Sequence, residues 1–537
     1  MPGEDPLLLQ TEKGPTLLWR GVYFYPQGDP IEYARRKARV FSPGARSLIF
    51  VPSIGLGHGL QDLLLHAPDT CAILCVEAFQ EVMGIAMTRG LPRDPRLTII
   101  RTEDPDAVAA ALRNMGMGRF RRVIAMPLCA GYRLAPGLYE RFQRRLEQEV
   151  MRYWQNRLTL IAMGSLQVRN ILYNLPLLSH ALDLSALSTG LPVVVAGAGP
   201  SLEQSISALS QLRDRYLLVA VDTALPCLLA SGMAPDIIIA LEAQVANIQD
   251  FISGRSQGSL VACDLSSHPS AARLFPGRLC FFSSTFAPLQ IFDRLARRGL
   301  LPMVFPALGS VGVAAAHAAL CLTQGDVYLT GLDFSFPGWR THARGSPNHL
   351  AMMMRASRMA PVGQAGFQAV MARSLLRVSD KNGALIITDR VLQSYRDSLE
   401  QEMRPASDRV RDCGLFGLPL GVRRISTREM VERLGSIVPQ ARGLDIDPMR
   451  RFPADMLPGF FAAEKVLLSR AMELPNTPAS DSAEAAEAKA LLRAIDYAWV
   501  HFPDEPDWDA PDAGFLARVR VAAAYYFQRI ARIASVL

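Results

Sequence analysis

The run Val193-Val194-Val195-Ala196 leads directly into Gly197-Ala198-Gly199-Pro200-Ser201-Leu202. A strand, a glycine turn and a helix start together make a place to hold an anion. Glycine lets the backbone come close, and the first helical amides are unpaired at the positive end of the helix dipole. Ser201 can cap that helix or reach a phosphate, and Pro200 suits a first turn. The same residues also serve an ordinary tight corner. Two acidic residues follow at strand ends: YLLVAV stops at Asp222, and IIIALE stops at Glu242. Ligands of parallel α/β sheets bind at such carboxyl edges. Each carboxylate could bind a ribose, a base or a metal, or cap a helix in a solvated loop. Further on, Gly309-Ser310-Val311-Gly312 opens the small-residue helix VAAAHAALCL. Strand Val327-Tyr328-Leu329-Thr330 then ends in Gly331-Leu332-Asp333-Phe334. The segment after it, SFPGWRTHARG, contains His342 and has the polar, aromatic, glycine-bearing character of a mobile active-site loop.

These residues need a scaffold, and the strand-like runs PVVVAG, YLLVAVD, DIIIALE, SLVAC, RLCFFS and DVYLTG supply one between 191 and 400. Helical segments or turns separate most of them, as in a doubly wound parallel sheet. A similar β-α-β pattern occupies the first 135 residues. Strand Ser47-Leu48-Ile49-Phe50-Val51 precedes Gly55-Leu56-Gly57-His58-Gly59, and strand Ala72-Ile73-Leu74-Cys75-Val76 ends at Glu77. Glycines after a strand with an acidic residue about 20 positions on resemble a dinucleotide or methyltransferase site. The acidic residue such a site wants before the first glycine is Ser53, so a degenerate, structural domain is the favoured expectation, with His58 as part of it. Residues 136–190 read as a helical connector. Residues 401–537 read as mainly helical, with helices expected over 445–472 and 482–500, an acidic proline-rich loop HFPDEPDWDAPDAG, and a final amphipathic helix. His317, in the alanine-rich helix, reads as a packing residue.

The chain has 537 residues, 50% of them hydrophobic, enough for two or three packed domains. Charged residues make up 20%, and the formal net charge of +7 comes mostly from arginine. No nucleic-acid module or lysine-rich arm accompanies it, so an anionic small ligand or acidic partner is favoured over nucleic acid. The eight cysteines show no repeating CxxC pairs, which argues against structural zinc and for reduced, buried thiols. No long apolar run marks a signal peptide or a membrane span, so a cytoplasmic location is expected.

GAGPSL, D-T-A-L with G-M-A-P-D, G-S-V, Y-L-T-G-L-D-F and T-H-A-R-G, in this order, resemble the central domain of the motility-associated-factor (Maf) flagellin glycosyltransferases. That domain is similar to 6-hydroxymethylpterin diphosphokinase MptE-like (DUF115) proteins, and VVVAGAGPSL and VYLTGLDF look like strands of bacterial CMP-sialic-acid sialyltransferases. The resemblance is good over 190–400 and looser over the N-terminal domain. It implies an α/β chain of two Rossmann-like parallel-sheet domains plus a C-terminal helical region. It implies transfer of a nonulosonic acid (pseudaminic, legionaminic or sialic type) from its CMP-activated form to Ser or Thr of flagellin, with inversion and without a metal cofactor. Gly197, Gly199, Pro200 and Ser201 would hold the nucleotide phosphate and ribose. Asp222 and Glu242 would lie at the nucleotide site, and Ser310 would face the sugar nucleotide. Tyr328 and Asp333 would line the leaving-group phosphate, and His342 would be the general base, with His349 behind it.

Several positions depart from the pattern. Related proteins often carry aspartate at Glu242. The sialyltransferases have tyrosine just after their G-x-D-F, where Ser335 and Phe336 follow here, and arginine where Leu308 stands. Arg340, Arg344 or Arg355 would have to take over phosphate stabilisation. Two other functions stay open: an MptE-like diphosphokinase using ATP and Mg²⁺ on Asp222 and Glu242, and a non-catalytic nucleotide-binding protein that contacts flagellin through its terminal helices.

Overall fold

The computed structural model describes residues 5–251, 258–439, 444–475, 483–503 and 512–536. It divides into two compact units, Met1–Leu160 and Ile161–Leu537, and the division falls inside the 39-residue helix Pro136–Asn174. Most of HFPDEPDWDAPDAG, residues 504–511, lies outside the described residues.

The first unit begins with a three-stranded antiparallel sheet made by Leu7–Thr11, Gly14–Trp19 and Val22–Tyr23. Its main sheet is parallel, in the order Leu97–Arg101, Ala72–Glu77, Ser47–Pro52, Arg122–Ala125. Ser47–Pro52 and Ala72–Glu77 are buried along their whole length, which is why they read as unbroken apolar runs rather than alternating ones.

The second unit is built on a ten-stranded sheet. Its order is Val304–Phe305, Leu279–Ser284, Leu260–Asp264, Ile237–Ala240, Leu217–Val221, Val193–Ala196, Val327–Thr330, Val410–Asp412, Arg423–Arg424, with Leu182–Asp183 beside Leu279–Ser284. All of these pairings are parallel. The sheet therefore does not stop near residue 400, because two further strands join it from 410–424. These strands are only three and two residues long, too short to show a periodic pattern in the sequence.

Beyond the sheet, the helices are Met456–Met472, Ala483–Ala494, Asp496–Trp499 and Ala513–Ala534. Helix was expected from 445, but Asp445–Ile446 instead forms a short antiparallel strand with Leu187–Ser188. All eight cysteines are unpaired, and all but Cys321 are buried. Among the described residues no helix is long and apolar enough to cross a membrane.

Both main sheets reverse their strand order at one point. In each, a strand that leads into a glycine turn lies between the strand that follows it and a later one (Arg122–Ala125 in the first unit, Val327–Thr330 in the second), so the connection changes direction beside it. That reversal opens a crevice at the carboxyl edge, and in each unit a glycine turn leaves the strand at this point.

Candidate active site

In the first unit the crevice is filled by the protein itself. Gly55, Gly57 and Gly59 all have positive φ. A Cβ on Gly55 would stand 2.5 Å from the Tyr25 hydroxyl, and one on Gly59 would stand 2.7 Å from the Ala34 carbonyl oxygen. Glu77 is fully buried, and its two oxygens are fully engaged. Oε2 accepts from Ser53 Oγ at 2.8 Å and the Ile54 amide at 3.0 Å. Oε1 accepts from the Phe79 amide and Tyr139 Oη, both at 3.1 Å. Burial raises the Glu77 pKa, and these donors hold it down. His58 Nε2 lies 3.0 Å from the Pro15 carbonyl oxygen. The acidic residue expected to bind a ribose is thus the bracket that fixes the turn, and His58 is structural.

In the second unit the turn after Val193–Ala196 packs against the turn after Val327–Thr330. The Gly197 amide donates to Thr330 O at 2.8 Å and the Gly199 amide to Gly331 O at 2.7 Å. A Cβ on Gly197 or Gly199 would lie 2.4 or 2.6 Å from Gly331 O, so both positions require glycine for close approach. Asp333, also buried, takes the start of helix Leu202–Ser210: its Oδ2 accepts from the Ser201 amide at 2.8 Å and its Oδ1 from the Ser201 hydroxyl. Burial raises the Asp333 pKa to about 6 against the pull of those bonds. Behind it, Lys381 Nζ sits 2.6 Å from Asp412 Oδ2, and both side chains are almost wholly buried. Phe334, at φ 46°, follows in the left-handed region, where a non-glycine residue is strained. Gly197, Gly199, Pro200, Ser201 and Asp333 are therefore brought together, with Asp333 in the position of an anion at the helix start.

The SFPGWRTHARG segment lies on this turn. The Ala343 amide donates to Ala198 O at 2.8 Å. Glu203, in the first turn of helix Leu202–Ser210, accepts from Arg340 Nη1 at 2.6 Å and from the Arg344 amide at 2.8 Å. Cys227 Sγ donates to Arg344 O. The segment expected to be a mobile loop is pinned at three points. His342 is held next to Ala198 with Nδ1 3.2 Å from Thr341 Oγ1, which also accepts from Asn348 Nδ2 at 2.8 Å. Burial, helped by the Arg373 charge, lowers the His342 pKa, so the ring is neutral at pH 7. His349 Nδ1 accepts from the Gly345 amide at 3.2 Å. Of the arginines expected to stabilise phosphate, Arg340 is committed to Glu203 and Arg355 is exposed.

Ser310 caps helix Val311–Leu322 without a side-chain cap bond, after Gly309 at φ 67°. Leu332 Cδ2 lies within 2.7 Å of where a Cβ on either Gly197 or Gly312 would be, so this helix start borders the same turn. Tyr395, from Arg390–Met403, closes on Gly309.

A second cluster lies at the edge of the next two strands. Asp222 is buried; Oδ1 accepts from the Thr223 amide at 2.8 Å and Thr223 Oγ1 at 3.2 Å, while Oδ2 has no partner. Thr223 Oγ1 is also 3.2 Å from Asp250 Oδ2, so one hydroxyl proton serves two carboxylates. Burial, then the Asp250 charge, raises the Asp222 pKa to about 7, and burial raises Asp250 to about 6. Glu242 is raised in the same direction by the surrounding protein, although its side chain reaches solvent. Asp222, Glu242 and His268 line one small pocket. Asn170 and Asn174, from Pro136–Asn174, position its rim. Asn170 Nδ2 donates to Ala243 O and Ser266 O, both at 3.0 Å, and Asn174 Nδ2 to Leu265 O and Ser267 O, both at 2.9 Å. Asp250, His268 and the two asparagines were not singled out from sequence, since none sits in a glycine or strand-end motif.

Tyr328 does not belong to the crevice. It is buried, and its hydroxyl donates to Asp326 Oδ2 at 3.3 Å, near Arg433. Asp326 precedes the strand, so this contact lies toward the amino edge, opposite the glycine turn. The expectation that Tyr328 lines the leaving phosphate is corrected. Among the described residues no three His, Cys, Asp or Glu side chains converge as a metal site.

Residues 167–338 match the model of the 6-hydroxymethylpterin diphosphokinase MptE-like family. An uncharacterized protein of Treponema pallidum (strain Nichols) is 25% identical over 567 residues, spanning 100% of this chain and 97% of the relative. A second Treponema pallidum protein is 35% identical over 85 residues, 16% of this chain and 40% of its own. The structure of a Maf glycosyltransferase from Magnetospirillum magneticum AMB-1 superposes with a TM-score of 0.58 at 15% identity, covering 99% of this chain and 89% of that one. The chain thus carries an MptE-like domain over residues 167–338 and shares its fold with a Maf glycosyltransferase.

Proposed function

We propose that this protein is a glycosyltransferase that moves a nonulosonic acid from its CMP-activated form to a Ser or Thr hydroxyl of flagellin in the cytoplasm. The observation that carries this reading is the pinned His342 segment. It sets a neutral imidazole beside the glycine turn, at the carboxyl-edge crevice of a domain whose fold also serves a named glycosyltransferase.

The chemistry follows from the groups present. The acceptor hydroxyl must lose its proton as it attacks the anomeric carbon. The bond from that carbon to the phosphate oxygen breaks, and the electron pair leaves on CMP. His342 takes the proton on Nε2 when its Nδ1–H donates to Thr341 Oγ1. Negative charge growing on the phosphate is met by the uncapped amides at the start of helix Val311–Leu322 beside Ser310. Gly197 and Gly199 let the two turns pack together, and Ser201 and Asp333 hold that turn in shape rather than touch the phosphate. Asp222 and Glu242 face the nucleoside.

The family match favours a second reading, pterin-type diphosphoryl transfer. It calls for ATP and carboxylates that gather Mg²⁺, and among the described residues no three His, Cys, Asp or Glu side chains converge to hold a metal ion. Calorimetry separates the two. CMP binding without Mg²⁺, with no response to ATP and Mg²⁺, supports the transferase. Binding of ATP with Mg²⁺ alone sinks it.

A further inference from the structure

Between Phe334 and Ser379 the chain has six arginines and not one aspartate or glutamate. Two helices, Pro347–Arg355 and Val362–Met371, make up most of this stretch. Pro347–Arg355 buries no side chain at all. Its Leu350 and Met354 are one turn apart, as are Phe367 and Met371 on the second helix, and all four are exposed. Met354 is 89% and Met359 82% exposed, values that leave the thioethers nearly as wet as in an unfolded chain. Exposed apolar side chains grouped on two consecutive helices point to an interaction surface. Methionine suits it because its flexible side chain repacks against varied partners. Arg355 and Arg358 are exposed and enter no ion pair among the described residues.

The patch is continuous with the candidate active site. Phe367 packs its ring on Trp339 at 4.8 Å, and Trp339 lies three residues before His342. Asn348, at the start of the first helix, bonds the threonine that contacts His342. A macromolecule seated on these helices would have its hydroxyl-bearing loop delivered to the glycine turn.

We propose that residues 347–371 form a docking surface for the acceptor protein, seating an amphipathic helix that presents carboxylates beside an apolar stripe; this rests on the transferase reading. Arg355 and Arg358, with no acidic residue between 347 and 371, select an acidic partner. They also disfavour a second copy of this basic chain, whose own patch carries the same charge. The helix supplies the i, i+4 apolar anchors that such a surface accepts.

The test uses the full chain and purified flagellin as the probe, with binding measured by calorimetry in the absence of donor. Met354→Glu with Met359→Glu, and separately Arg358→Glu, should each weaken flagellin binding by about tenfold or more, the size of a lost hot spot. CMP affinity and melting temperature should not change, and the Arg358→Glu effect should shrink as salt rises. Flagellin affinity that is the same in every variant overturns the proposal while leaving the transferase reading intact. So does binding of phosphatidylglycerol vesicles, or self-association, that the variants abolish while flagellin does not bind. A fall in CMP affinity or melting temperature alongside the loss shows a structural effect and also overturns it. A wild-type chain that binds flagellin but not CMP sinks the transferase reading instead.

Discussion

Two glycine turns in this chain leave a strand at the point where a parallel sheet reverses its order, and a carboxylate stands at the end of the neighbouring strand that follows in sequence in both. In the first unit that carboxylate is Glu77, with four donors on its two oxygens. In the second it is Asp222, with one residue donating to one oxygen and nothing on the other. The central turn is bracketed instead from the other flanking strand, Val327–Thr330, by Asp333. Taking over the bracketing from the other side leaves the Asp222 carboxylate free to face a ligand. A satisfied buried carboxylate reads as structure, and an orphaned one as a binding group.

The largest effect that tests this contrast falls on the histidines. His342→Ala should reduce transfer by about 10²–10⁴-fold, the contribution of a general base, while CMP affinity holds. His58→Ala, in the equivalent turn of the first unit, should leave transfer unchanged. Assays of flagellin modification with both variants decide it, and equal activity of the two would break the contrast. Because burial lowers the His342 pKa, the neutral base survives as pH falls through 6.5. The acid limb of kcat/KM should therefore lie below the ordinary histidine range.

Next comes Glu77→Ala. It leaves four donors without an acceptor in a closed interior, and should destabilise the first unit by about 3 kcal/mol or more. Urea unfolding followed in that unit, with CMP binding measured in parallel, checks that the loss is one of stability only.

Much of this difference was legible in the residues, and some was not. The apolar runs and the glycines after them locate both turns, because a buried parallel strand must be apolar throughout and a close approach requires glycine. What a turn does depends on side chains that arrive from far along the chain. Tyr25 and Tyr139 fill and bracket the first turn; Asp250, His268 and Asn170 shape the acidic pocket beside the second. No local pattern marks them. The late strands at 410–412 and 423–424 were missed for a related reason. They are too short for a periodic signal and exist because an open sheet edge was there to extend.

A smaller effect separates Asp222 from its counterpart by pH. Its folded pKa of about 7 and that of Asp250, about 6, both lie above the unfolded value of 3.8. The folded chain therefore keeps protons that the unfolded chain has released between roughly pH 4 and 7, and stability falls as pH rises through that window. Asp222→Asn keeps an oxygen for Thr223 and removes the titration. It should flatten the decline and stabilise the protein above pH 7, on the order of 1–2 kcal/mol. Melting curves at pH 5.5 and 8 give the comparison. A slope identical to wild type would mean that Asp222 does not carry the raised titration, and this part of the contrast would fail.

The smallest effect falls on Tyr328, and it sharpens what counts as the crevice. Side chains alternate along a strand, so Tyr328 shares a face with Thr330, whose Oγ1 lies 2.8 Å from Ser205 Oγ of helix Leu202–Ser210. The glycine turn and the His342 segment begin only after that strand ends. Its hydroxyl is turned toward Asp326. Tyr328→Phe removes one hydrogen bond to a half-exposed carboxylate, worth about 1 kcal/mol at most. Transfer and CMP affinity should be unchanged, because no atom of the phosphate path is touched. A drop in kcat comparable to that of His342→Ala would place the leaving group along the strand instead of at its end, and would move the site away from the turn.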